Sequence, residues 1–133
     1  MNQEINQSLF LLGSSHQVAD LAARERISLP PDSIDEFYNG LGKIEGLDEY
    51  LLLNTCNRTE IYGWFGEACE AAVVGDDVVK WLSAYHSVAM GDLSTCTYRS
   101  HGLDGLTHLV KVAAGLNSMV LGEPQIFGQI KSA

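Results

Sequence analysis

The chain has 133 residues, of which 46% are hydrophobic and 19% charged, enough apolar content to bury one core and too little charge for disorder. Eight Lys and Arg against 17 Asp and Glu leave a net charge of -9, which disfavours broad contact with nucleic acid because neutralising phosphates takes clustered positive charge. No apolar run reaches the ~18 residues of a membrane span. Met1 to Ser8 lacks the pattern of a signal peptide, and three widely spaced cysteines, Cys56, Cys69 and Cys96, are too few for a disulfide framework or a tetrahedral zinc site.

In chain order, Ser8 to Leu12 is an apolar run that predicts a buried strand, with a loop from Gly13-Ser14-Ser15. Pro30-Pro31-Asp32-Ser33 announces a helix. Ser33 and Glu36 have capping-box spacing, and Ile34, Phe37, Tyr38 and Leu41 recur at helical intervals. Tyr50 to Leu53 predicts a second buried strand leading into the polar cluster Asn54 to Arg58, and Ile61 to Phe65 a third. The next helix is expected to break near Gly75, with Val78, Leu82 and Tyr85 on one face. Ser94 to Arg99, rich in Thr and Tyr, predicts a fourth strand. Leu103, Leu106, Val110 and Ala113 make one face of a further helix, which Gly115 can end. Pro124 opens a last one, with Ile126 and Ile130 as its stripe and no stop signal before Ala133, as in a fragment of a longer chain. Strand, helix, strand, strand, helix, strand, then extra helices is an α+β order: a ferredoxin-like split βαβ sandwich with additional C-terminal helices.

Chemistry concentrates in a few places. Cys56 follows a buried strand within Thr55-Cys56-Asn57-Arg58, where a rigid strand can hold a nucleophile at a pocket mouth and a guanidinium favours the thiolate. The alternative is a buried structural cysteine, which is how Cys69 and Cys96 read. Arg58 can grip a carboxylate with its planar fork, or form a surface salt bridge with Glu60. His108 has Asp104 one turn earlier to orient its imidazole for proton transfer, or is a half-exposed helical histidine. Gln125 and Gln129 share a helix face beside Glu123 and can read a polar ligand, or form a solvated face. Four scattered histidines make no metal site. Neither G-x-G-x-x-G nor G-x-x-x-x-G-K-[ST] occurs, so no nicotinamide-binding fingerprint is visible.

Three segments resemble the glutamyl-tRNA reductase family. Gly13-Ser14-Ser15-His16 through Arg24-Glu25-Arg26 is similar to G-x-N-H-x-x-A-x-x-x-x-R-E-R. Asn54 to Tyr62 is similar to S-T-C-N-R-T-E-x-Y. His108 through Ala114 to Asn117-Ser118, then Leu121 to Ile126 and Gly128-Gln129, is similar to H-L-x-x-V-A-x-G-L-D-S-x-V-L-G-E-P-Q-I-x-G-Q. The chain departs from these motifs at Ser15, Val18, Asp20 and Asn117, and no contact is carried over to those side chains.

The resemblance implies that residues 1–133 are the N-terminal catalytic domain of such an enzyme. Cys56 would attack the ester joining glutamate to its tRNA, giving a thioester that NADPH reduces to glutamate-1-semialdehyde, on the route to 5-aminolevulinate and tetrapyrroles. Thr55, Asn57 and Arg58 would line the substrate pocket, with Arg58 on the glutamate side-chain carboxylate. Ser118, Glu123, Pro124, Gln125 and Gln129 would complete that pocket, and His108 would orient the ester or carry a proton. NADPH would bind in a domain absent from this chain, as would the contacts of a homodimer, and no metal is implied. Glutamyl-tRNA is the implied substrate partner, glutamate-1-semialdehyde aminomutase a candidate protein partner, and the cytoplasm the expected location. The same Cys56 and His108 would also serve an acyl transferase or hydrolase that needs no reductant, and the fold would serve a silent binding module.

Overall fold

The computed structural model describes residues 9–55, 57–65 and 71–114. Four strands form one sheet: β1 (Leu9–Ser15), β2 (Leu47–Asn54), β3 (Arg58–Phe65) and β4 (Tyr98–His101). Their order across the sheet is β2-β3-β1-β4 and every neighbouring pair is antiparallel. This is the strand order of the split βαβ unit, and the architecture is α+β as its sequence pattern predicts.

β1 runs through the centre, paired with β3 from Leu9↔Trp64 to Ser15↔Arg58 and with β4 from Phe10↔His101 to Gly13↔Tyr98. All seven of its residues are buried. A strand covered on both faces needs no alternation, which is why it reads as a continuous apolar run. The strand also extends through Gly13, Ser14 and Ser15, where a loop was expected, because the ladder with β3 continues to Ser15↔Arg58.

One face of the sheet carries most of the core. Phe10, Leu12, Leu52, Ile61 and Phe65 pack there against Phe37 and Leu41 of α2 (Ile34–Leu41) and Val74, Val78 and Leu82 of α3 (Ala71–His86). α3 is continuous through Gly75, contrary to the expected break: a buried stripe of three aliphatic side chains outweighs a glycine cost of about 1 kcal/mol. Val78, Leu82 and Tyr85 share its inner face as predicted. Tyr38 of α2 accepts a hydrogen bond from the Leu52 N–H at 3.1 Å, so a side chain satisfies a backbone donor of the outer strand β2.

Two helices differ from expectation. α1 (Leu21–Ile27) precedes α2 and carries no amphipathic stripe, only Ile27 being buried; it is marked instead by Asp20, whose Oδ1 accepts from Ala23 N at 2.9 Å, and by Arg24 and Arg26 in its last turn. α4 (Met90–Thr95) occupies the start of the segment expected to be a strand from Ser94. Ser94 and Thr95 donate to the carbonyls of Gly91 and Asp92 at 2.8 Å, and Thr97 to that of Leu93 at 2.7 Å, so local side-chain bonds win over β propensity. The strand begins later, at Tyr98. The expected capping box at Ser33 is not formed either: a 3-10 turn, Pro31–Ser33, leads into α2 and holds Ser33 in a helical conformation with no side-chain cap bond.

The second face is covered by α5 (Gly102–Ala113), which leaves β4 through Gly102 at φ 63°, a conformation glycine adopts at little cost. Leu11, Leu53, Tyr62 and Val112 form a smaller core there, with Leu109 packed against it. The apolar face read from sequence is not the most buried one: Leu103 is 50% and Val110 60% exposed and Leu106 and Ala113 are half-buried, while Gly102, Gly105 and Val112 are buried. The helix has two apolar arcs, and the one with glycines is the one that sits down on β1. The expected end at Gly115 and the final helix from Pro124 lie outside the described residues.

Candidate functional site

The β2–β3 connection is tightly bonded. Thr55 N donates to Arg58 O at 2.8 Å, and Thr55 Oγ1 accepts from the backbone N–H groups of Asn57 and Arg58 at 3.2 and 3.3 Å. Threonine at the head of a turn closes it this way because its hydroxyl reaches the donors two and three residues on. The Asn57 carbonyl accepts from His16 N at 3.0 Å and from Arg24 Nη1 at 3.3 Å, tying the turn to the end of β1 and to α1. Behind it, Asn54 bridges the Leu29 carbonyl and the Thr59 hydroxyl at 3.0 and 3.1 Å. A cavity of about 180 Å³ opens beside this turn, lined by Arg24 and Glu25 of α1, by Ser28 just past its end, and by Thr55, Arg58 and Thr59.

Arg58, Glu60 and Tyr62 alternate along β3 and so share one face of the sheet. That face is the one under α5. Glu60 is fully buried, and donors surround its carboxylate. Tyr62 Oη bonds Oε1 at 3.0 Å, Tyr98 Oη bonds Oε2, and His108 Nε2 of α5 lies 2.5 Å from Oε2. Arg58 Nη1 stands 3.6 Å from the same Oε2, an ion pair with both side chains fully buried. Gly13 faces Glu60 across the β1–β3 ladder, and a Cβ there would come within 2.7 Å of Glu60 Cγ, so the acid occupies space that only a glycine leaves open.

Burial by itself would raise the Glu60 pKa, but the hydrogen bonds from His108 and Tyr98 and the charges of His108 and Arg58 outweigh it and hold the carboxyl below its ordinary range. Glu60 is therefore an anion inside the fold. Burial, reinforced by that anion, pushes the Tyr62 and Tyr98 phenols upward, so both stay protonated donors.

The residues singled out from sequence are distributed as follows. Thr55, Asn57 and Arg58 come together at the turn, and His108 reaches Arg58's surroundings through Glu60. The partner of His108 is Glu60, on another element, rather than Asp104 on its own helix. The Arg58–Glu60 pair exists, but as a buried pair and not a surface one. Cys96 is half-buried, its thiol directed to the Leu93 carbonyl at 3.5 Å; burial raises its pKa more than the Arg26 charge lowers it, in keeping with a structural role. Cys56, Cys69, Ser118, Glu123, Pro124, Gln125 and Gln129 lie outside the described residues. Glu60, Tyr62 and Tyr98 were not recognised as a constellation from sequence. The available signal was the polar alternation Arg58-x-Glu60-x-Tyr62 within a strand otherwise apolar.

A family model described as glutamyl-tRNAGlu reductase, N-terminal domain, matches residues 12–133. Glutamyl-tRNA reductase of Shewanella denitrificans is 42% identical over 126 residues, covering 95% of this chain and 29% of that protein. The Shewanella baltica protein of the same name is 38% identical over the same coverage. Among solved structures, glutamyl-tRNA reductase from Methanopyrus kandleri matches with a TM-score of 0.62 over 95% of this chain and 27% of that one, at 24% identity, a likeness of fold. The chain thus spans under a third of the length of these relatives.

Proposed function

Because this chain belongs to the glutamyl-tRNA reductase N-terminal domain family, we propose that it is the part of such an enzyme that receives the glutamyl ester and forms a thioester on Cys56. The Cys56 sulfur attacks the ester carbonyl, the carbon–oxygen bond to the tRNA breaks, and the glutamyl group stays on sulfur. We assign the side-chain carboxylate of the glutamate to Arg58, whose planar fork suits two oxygens, and reaching it requires the guanidinium to turn from Glu60, against which it is sealed. Thr55 and Asn57 shape the pocket wall, and His108 orients the ester or carries a proton. Ser118, Glu123, Pro124, Gln125 and Gln129 supply the remaining substrate contacts.

The observation that carries this reading is a convergence. Arg58 and His108, far apart in sequence, meet at one oxygen of buried Glu60, next to the bonded turn whose residues flank Cys56 and the cavity beside it. A cation for a carboxylate and an imidazole for a proton are the two groups that acyl transfer from a glutamyl ester calls for.

NADPH supplies hydride in the full reaction, and we assign its binding to a domain outside this chain. The helix that follows β1, where a dinucleotide pyrophosphate would rest in a nucleotide-binding unit, is capped here by the Asp20 carboxylate, which would repel a phosphate. This helix end therefore does not fit the cofactor. A homodimer, a cytoplasmic location and transfer of the aldehyde product to an aminomutase belong to the same proposal for the longer protein. No helix among the described residues is long and apolar enough to cross a membrane.

The test is to mix the chain with glutamyl-tRNA, quench with acid, and locate the adduct by mass spectrometry. A glutamyl group on Cys56, lost in Cys56→Ser, is the expected result. An adduct on another residue, or none from a folded chain, refutes the reading. Aldehyde formed by this chain with NADPH alone would refute the division of labour.

A further inference from the structure

We propose that Glu60 is a positioning residue that holds His108 as its Nε2–H tautomer, leaving Nδ1 as the atom through which this histidine handles a proton. The proposal deepens, and rests on, the role given to His108 above.

The argument starts from what a carboxylate can do. Ionised, it only accepts hydrogen bonds. Its two oxygens here face the Tyr62 hydroxyl, the Tyr98 hydroxyl, His108 Nε2 and the Arg58 guanidinium. An imidazole nitrogen 2.5 Å from such an oxygen must carry its proton, since two lone pairs at that distance repel. A neutral His108 then has its basic lone pair on Nδ1.

The surroundings make this orientation hard to change. Glu60 is pinned on both oxygens and seated in the space left by Gly13. The Tyr98 ring lies against the imidazole, with centroids 5.4 Å apart and planes inclined at 53°. Moving the proton to Nδ1 would trade a charge-assisted bond for a buried carboxylate facing a lone pair, and turning the ring over would set a carbon against that carboxylate. His108 is partly exposed, its side chain 23% accessible, whereas Glu60 is sealed. The histidine therefore faces outward with one nitrogen committed to the interior.

In the reaction, Nδ1 takes the thiol proton as the sulfur–carbon bond forms and returns it to the ester oxygen as the carbon–oxygen bond breaks. Between these events the imidazolium carries a positive charge beside the Glu60 anion, which stabilises it without accepting the proton. Glu60 touches no reacting atom, and on the proton it acts through the histidine.

The tautomer is read directly by nitrogen-15 NMR of the His108 ring in the chain, above neutral pH and without substrate. A protonated Nε2 and an unprotonated Nδ1 are expected, with Glu60→Ala giving a mixture of tautomers and Tyr98→Phe retaining the single form. A protonated Nδ1, or a mixture in the unaltered chain, overturns the proposal even if Glu60→Ala fails to fold. In the Cys56 acylation assay, His108→Ala and a folded Glu60→Ala should both slow adduct formation by about 100-fold, the low end of what a positioned acid–base contributes. Unchanged acylation in His108→Ala together with the expected tautomer would overturn the proton-handling role of His108, and with it the catalytic half of this proposal. The two failures are distinguishable because the spectrum needs no substrate.

Discussion

Replacing Glu60 with Gln removes one negative charge from the point where two phenols, an imidazole and a guanidinium converge. Breaking a buried ion pair by changing one partner costs about 3–5 kcal/mol, because the other charge stays buried without compensation. Gln keeps one oxygen acceptor, and the Tyr62 and Tyr98 hydroxyls can rotate to accept from its amide, so the low end applies: about 3 kcal/mol at neutral pH. With a urea dependence of about 2 kcal/mol per molar for a domain this size, the unfolding midpoint should fall by about 1.5 M without a change in slope. The pH dependence supplies an independent check. The folded carboxyl titrates below its ordinary value of 4.5, so on acidification the unfolded chain takes up this proton first. The stabilisation from Glu60 is complete above that ordinary value and drains away as pH falls through the lower folded value. The gap between the two proteins should therefore narrow on acidification from about pH 4.5 downward. A gap below about 1 kcal/mol at neutral pH, the size of an exposed pair, would refute the claim that this carboxylate is a buried charge centre, as would a gap that does not change in acid.

Four further outcomes follow from local surroundings. Gly13→Val should destabilise the chain by about 1–3 kcal/mol in urea unfolding, because its Cβ meets Glu60 Cγ at 2.7 Å and the Thr59 carbonyl at 3.1 Å. Gly91→Ala, in α4 with nothing within 4 Å of the new Cβ, should stabilise by up to about 1 kcal/mol in the same assay. Asp20→Ala removes the carboxylate that accepts from Ala23 N and should cost about 1 kcal/mol, roughly 4 °C in a thermal melt. Burial lowers the pKa of His86, whose ring meets Tyr85 edge-on at 5.1 Å, from its ordinary 6.5. The unfolded chain protonates first, so stability should decline as pH falls through about 6.5, and His86→Phe should flatten that decline in melts between about pH 7.5 and 5.5.

How much was legible in the chain itself depends on the range of the forces involved. β1, β2, β3, α2 and α3 were readable as elements because each carries its own period or apolar run, set by neighbours a few residues away. The Thr55–Arg58 turn was legible too, since threonine and asparagine bond their own backbone. The order β2-β3-β1-β4 followed from the succession of elements, because a split βαβ unit has few ways to pair its strands. α1 escaped because a short, largely exposed helix leaves no stripe, only a cap.

The inner face of α5 could not be read from its own residues. Leu103, Leu106, Val110 and Ala113 form one arc, Gly105, Leu109 and Val112 another, and both are apolar. The choice fell to the sheet, whose second face offers Leu11 and Tyr62 for close packing and an ionised Glu60 that requires a donor. Local sequence therefore determined which segments would be strands and helices and where the polar turn would lie. Only the folded arrangement decided that His108 and Arg58 share one carboxylate, because a buried charge selects its partners through space, by the cost of leaving it unpaired.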